Sequence, residues 1–199
     1  MRRLNPSLDT PGVHAPGAWP RQTGWRSTLR SLAFFGIVAG LGAGGVAAGA
    51  EELVVRVPDP GFTVTIPGLP QITLGPHPAA AQNPSARLLG SNADGVNVSA
   101  LTPKAEGASA QQCASWLTGS TIARYAPDLA TVQMFPAGTN AWVLLYPFKA
   151  GPVDQLKAHV FSGNNRGQCL EIHISRLGAT PEQRRAWFAG FRGITVSAQ

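Results

Sequence analysis

From Leu53 onward the sequence is a succession of short apolar runs separated by proline, glycine and asparagine. Leu53–Val57 is one such run, closed by the turn Pro58-Asp59-Pro60-Gly61. Phe62-Thr63-Val64-Thr65-Ile66 alternates strictly, so Phe62, Val64 and Ile66 face a core and the threonines face away. Gly68–Ser85 carries Pro70, Pro76, Pro78 and Pro84 and reads as a long loop with a brief extended piece at Gln71–Leu74. Arg87–Ser91 and Val96–Thr102 then form a hairpin about Asn92-Ala93-Asp94-Gly95, with Asp-Gly as the turn signal.

Ser109 and Gln112 form a capping box, which predicts a helix carrying Cys113, Trp116, Leu117, Thr121 and Arg124 on one stripe. Gly119 weakens its middle, and Pro127 stops it at Ala126. Four strands are expected next. Ala130–Phe135 is the first, and Ala141–Phe148 is apolar on both faces, as a strand covered on both sides must be. Gln155–Ser162 and Gln168–Arg176 pair about Gly163–Gly167. In the last of these, Leu170, Ile172 and Ile174 face one way, and Cys169, Glu171, His173 and Ser175 the other. Thr180-Pro181-Glu182-Gln183 opens a closing helix with the stripe Arg184, Trp187, Phe188 and Phe191. Ile194–Val196 adds a short final strand.

Strand pairs interleaved with helices predict an α+β domain: an antiparallel sheet flanked by helices over residues 51–199. The Cys113 helix covers the Cys169 face if the two cysteines join. The closing helix then covers the Leu170, Ile172 and Ile174 face. At that order of elements, opened by Phe62-Thr63-Val64-Thr65-Ile66-Pro67 and closed by a helix like Thr180–Phe191, the chain resembles the PsbP-like superfamily. That superfamily includes the bacterial periplasmic DcrB-type proteins. The resemblance covers roughly Glu51–Val196 and implies an α/β/α sandwich that binds or assembles rather than catalyses. No functional residue carries over with it. DcrB-type proteins are lipid-anchored, and this chain has no cysteine at the corresponding place.

The region before residue 51 changes the picture more than composition does. Residues 1–30 read as a disordered basic leader, with Pro6, Pro11, Pro16 and Pro20 and no apolar period, unless the true start lies downstream. Ser31–Ala50 holds no charge and follows Arg21, Arg26 and Arg30, the order of a signal peptide. Ala48-Gly49-Ala50 places cleavage before Glu51. The alternative is an uncleaved inner-membrane anchor, since the stretch is near bilayer-spanning length. Cleavage implies a periplasmic or secreted domain, and the pair Cys113 and Cys169 is then expected to form a disulfide.

The formal charge of +6 is mostly a property of the leader. Residues 51–199 hold 11 basic and 9 acidic side chains, too even a balance for a nucleic-acid partner. No nucleophile elbow, phosphate loop or dinucleotide fingerprint is present, so no cofactor is expected. One constellation has metal-ligating chemistry. Pairing Ser162 with Gln168 puts His159 opposite Glu171, with His173 two residues along the same face. Trp116, Trp142 and Trp187 fall on predicted core faces. The expected function is a noncatalytic exported module binding an envelope protein or small ligand through the Pro67–Ser85 loop and the adjoining sheet edge. The alternatives are a metal-dependent or hydrolytic enzyme using His159, Glu171 and His173, and a membrane-anchored structural protein.

Overall fold

The computed structural model describes residues 51–104, 109–164 and 166–198. The leader, the apolar stretch, its cleavage site and most of the linker before Ser109 lie outside them.

The domain is α+β, with every strand pairing antiparallel. Strands β1 (Glu52–Val57) and β2 (Phe62–Pro67) form the first hairpin. As expected, Leu53, Val55, Val57, Phe62, Val64 and Ile66 are buried. The rest of the order is β3 (Gly75–Pro76), β4 (Ala86–Ser91), β5 (Val96–Leu101), α1 (Ala110–Tyr125), β6 (Gln133–Ala137), β7 (Ala141–Ala150), β8 (Val153–Gly163), β9 (Cys169–Leu177), α2 (Pro181–Arg192) and β10 (Thr195–Ala198). Both capping boxes are formed, by Ser109 with Gln112 and by Thr180 with Gln183.

The strands divide between two sheets. Seven run in the order β3-β4-β5-β9-β8-β7-β6, and three in the order β1-β2-β10. Alternation along a hairpin says which side chains are buried, but not which sheet it joins. The main core therefore lies between sheets. Leu170, Ile172 and Ile174 of β9 and Val96, Val98 and Ala100 of β5 pack in one cluster with the apolar side of β1 and β2. Helix α2 adds Trp187 and Phe191 to that cluster, so it shares this face with the small sheet instead of covering it alone. It lies close enough to β2 that a Cβ on Gly190 would collide with the Pro67 carbonyl.

On the opposite face α1 lays Cys113, Ala114 and Leu117 over Leu144, Tyr146, Phe161 and Cys169. Cys113 and Cys169 are joined by a disulfide that closes a separation of 56 residues. A strand apolar on both faces was expected at Ala141–Phe148, and β7 sends Val143 and Leu145 to one core and Leu144 and Tyr146 to the other.

Three expectations need correction. Trp116 is 52% exposed, not core. The buried line of α1 is Ala110, Cys113, Ala114, Leu117 and Thr121. At 3.6 residues per turn, Trp116 projects roughly 100° away from the middle of that line. The strand expected from Ala130 begins at Gln133, because Leu129–Thr131 is a 3-10 turn whose Ala130 N–H donates to the Asp128 carboxylate. The long loop is not extended at Gln71–Leu74. Leu69 and Ile72 are buried in the main core, and its extended piece lies at Gly75–Pro76. The Gln71 side chain also accepts from Val54 N on the edge of β1.

Candidate functional site

Two polar regions lie on the α1 side of the large sheet. The first contains the candidate metal set. Strands β8 and β9 pair Gly163 with Cys169 and Ser162 with Leu170, not Ser162 with Gln168. Asn164 causes the shift. Its backbone N–H donates to the Gln168 carbonyl, and its side-chain oxygen accepts from the backbone of Arg166 and Gln168. Gln168 is consumed by the turn and the ladder starts one pair later. The slip is an even number of residues, so every side chain keeps its face. His159 comes to sit opposite His173, with Glu171 on the diagonal.

The three predicted residues are therefore brought together, but His159 and Glu171 are joined in a hydrogen-bonded chain with Tyr146, and His173 stacks on His159. His159 Nδ1 lies 2.8 Å from Glu171 Oε1, and its Nε2 lies 3.0 Å from the Tyr146 hydroxyl. With Glu171 ionised, the consistent arrangement is Nδ1–H donating to the carboxylate and Nε2 accepting from Tyr146. Both ring nitrogens are engaged, which leaves neither for a metal. Among the described residues no group of three or more His, Cys, Asp or Glu side chains is arranged to hold one.

Burial sets the protonation of this cluster. It pushes the His159 imidazole down, against the opposing pull of Glu171, and pushes the Tyr146 phenol up. His173 stacks on His159 with ring centroids 4.7 Å apart. Burial, then the charges of His159, Lys157 and Arg124, drive it down to about 2. Its Nε2 is shielded from solvent and has no hydrogen-bond partner among the described residues. Lys157 places its ammonium 3.9 Å above the Tyr125 ring, and burial brings it down to about 8. Tyr125, at the end of α1, closes the cluster from above. The arrangement holds neutral imidazoles in a dry, stacked core. A shallow cleft of about 620 Å³ opens beside it, lined by Tyr125, Phe148, Asp128, Asp154 and Arg184, but not by Tyr146, His159 or His173.

The second region is a cleft of about 860 Å³ at the other end of α1. Its walls are Pro60 from the first hairpin, Pro84, Ser85 and Arg87 at the start of β4, Thr102 to Lys104 after β5, Trp116 of α1, and Gly167 to Cys169. Arg87 is held in place, its Nε donating to Thr102 Oγ1 at 2.6 Å. Its outer nitrogen lies 3.8 Å from the exposed carboxylate of Asp59. Gln168 accepts from Asn164 Nδ2 through Oε1, and its amide N–H groups have no partner among the described residues. The disulfide ties the helix turn that presents Trp116 to the strand start next to Gln168.

Of these cleft residues, the sequence points only to Pro84 and Ser85, as the end of the expected contact loop, and to Cys169, as a disulfide partner. Trp116 was assigned to the core. Arg87, Lys104 and Gln168 are far apart in the chain and meet only through the sheet order β4-β5-β9. The one available signal was Trp116's position on the helix, since Ala110 and Ala114 mark the buried line more accurately than the large residues do.

No protein-family model matches the sequence, and no curated protein matches it. The fold is similar to a crystal structure of a protein from Bacteroides thetaiotaomicron, with 10% sequence identity and a TM-score of 0.46. The alignment covers 75% of this chain and 49% of that one, so the chain spans about half the length of the structure it matches.

Proposed function

We propose that the protein is an exported, noncatalytic binding module of the cell envelope, and that the Trp116 cleft is where it holds its ligand. The observation that carries this reading is the exposure of Trp116 in a cleft with cationic and amide donors. A large aromatic side chain left half in water beside such groups is characteristic of a recognition surface. The disulfide agrees with an oxidising, extracytoplasmic compartment. No helix among the described residues is long and apolar enough to cross a membrane. The order of elements, which resembles that of PsbP-like domains, goes with the same role and with a periplasmic or secreted location after cleavage before Glu51.

The contact surface expected at Pro67–Ser85 contributes only its last two residues, Pro84 and Ser85, to the cleft. Deleting that loop would remove Leu69 and Ile72 from the core, so it cannot separate binding from folding. Trp116→Ala separates them. The test compares capture of envelope components by the wild-type chain and by Trp116→Ala, with urea unfolding as the check on folding. Loss of capture at unchanged unfolding midpoint supports the cleft. Equal capture by both chains removes it. Mass measurement of the chain recovered from the envelope fraction tests export, which requires a product beginning at Glu51.

A further inference from the structure

Building on the cleft as the binding site, we infer that its ligand is an acidic saccharide, a short run of sugar rings bearing carboxylate or sulfate groups. The lining is donor-rich. Lys104, the Trp116 indole N–H and the Gln168 amide N–H groups have no partner among the described residues. Arg87 adds its outer nitrogens, whose nearest carboxylate is beyond hydrogen-bond reach. No carboxylate lines the cleft among the described residues. Donors and positive charge without matching acceptors select a ligand that is rich in oxygen acceptors and negatively charged.

Trp116 narrows the class further. Its ring needs an apolar face to lie against, and a sugar ring offers one flanked by hydroxyls. An acidic peptide has the charge but needs a different reader, because extended peptides are recognised largely through their main chain. Part of the backbone along this cleft is already paired. The Arg87 carbonyl accepts from His77 N, the Ser85 carbonyl accepts from Thr102 N, and Ala86 N donates to the Asn83 carbonyl. The side-chain donors of Arg87, Lys104, Trp116 and Gln168 suit hydroxyl and anionic oxygens. The volume of about 860 Å³ is large enough for a few sugar rings. Pro60, Pro84 and Pro103 with the disulfide hold the walls in place before a ligand arrives.

The test titrates the full oxidised chain, by calorimetry, with hexasaccharides of galacturonate, hyaluronan and heparin. Maltohexaose serves as the neutral control and hexaglutamate as the peptide control. Saturable binding is expected for at least one acidic saccharide. It should weaken tenfold or more in Trp116→Ala, severalfold in Lys104→Ala, and little in Trp116→Phe. Asp59→Asn, which removes the carboxylate nearest Arg87, should tighten it. Failure of all three acidic saccharides overturns the inference. So does equal or tighter binding of hexaglutamate, or binding that survives Trp116→Ala. If the saccharides fail while Trp116→Ala still abolishes envelope capture, the ligand class falls and the cleft stands. If capture also survives that substitution, the cleft falls with it.

Discussion

One helix covers two polar regions of opposite character. Under its C-terminal turn, His159 exchanges hydrogen bonds with Tyr146 and Glu171, all within a stacked aromatic surround. Beside its N-terminal half, Lys104, Gln168 and Trp116 keep donors unspent, in contact with water. The first region holds the residue types that catalysis and metal binding use, yet Tyr146, His159 and Glu171 satisfy one another and the His173 Nε2 is sealed from solvent. The second holds an ordinary tryptophan, lysine and glutamine, with capacity left over. For this domain, the proposed binding site is picked out by donors left in contact with water, not by the residue types of catalysis.

That contrast can be broken at either end. The largest effect is expected from separating the disulfide, which touches both regions. Cys113→Ser with Cys169→Ser frees a loop of 56 residues and should cost about 4 kcal/mol in urea unfolding, by the chain-entropy estimate. It should also weaken cleft binding, because the two walls are no longer tied. Next is His159→Ala, which leaves a cavity and strands the buried Tyr146 hydroxyl. A loss of about 3 kcal/mol is expected, with ligand affinity at the cleft unchanged. An affinity that falls in step with stability would show that the two regions are one system.

Acidification probes the closed region alone. His159 and His173 both titrate below the ordinary histidine value in the folded chain, so below about pH 6.5 the unfolded chain binds more protons. Stability is therefore whole above that pH and falls as pH drops. Between pH 6.5 and 5 the loss should approach about 2 kcal/mol for His173, with less from His159, whose shift Glu171 opposes. His173→Phe should flatten the profile of unfolding midpoint against pH, and a profile that stays as steep would refute this account. The smallest effects are expected at exposed positions of α1. Gly119 has open space around a Cβ, so Gly119→Ala should raise stability by about 1 kcal/mol. Trp116→Ala should change it by less than about 0.5 kcal/mol, and a larger loss would return Trp116 to the core.

The local grammar of the fold is carried by the sequence where neighbours in the chain decide it. Both capping boxes, the Asp-Gly hairpin and the alternation of β2 are decided by neighbours in the chain, and each is found where the pattern puts it. Cys113 and Cys169 could be paired because no other cysteine competes. What escapes is whatever depends on a third element. The hairpin register needed the Asn164 side chain to choose between pairings that bury the same face. Tyr146 joins His159 only once β7 is placed beside β8. The cleft draws on five separate parts of the chain, and only Trp116's place on α1 signals it locally.

Strand β10 pairs with β2, so Thr195–Ala198 complete the sheet that β1 and β2 begin. Until Thr195–Ala198 emerge, β2 has one open edge, and the apolar side of β1 and β2 lacks Ile194 and the α2 aromatics that seal its core. Contacts of such long separation form late and slowly. The same ordering leaves a truncated product with an unpaired strand, a ready target for proteolysis and quality control.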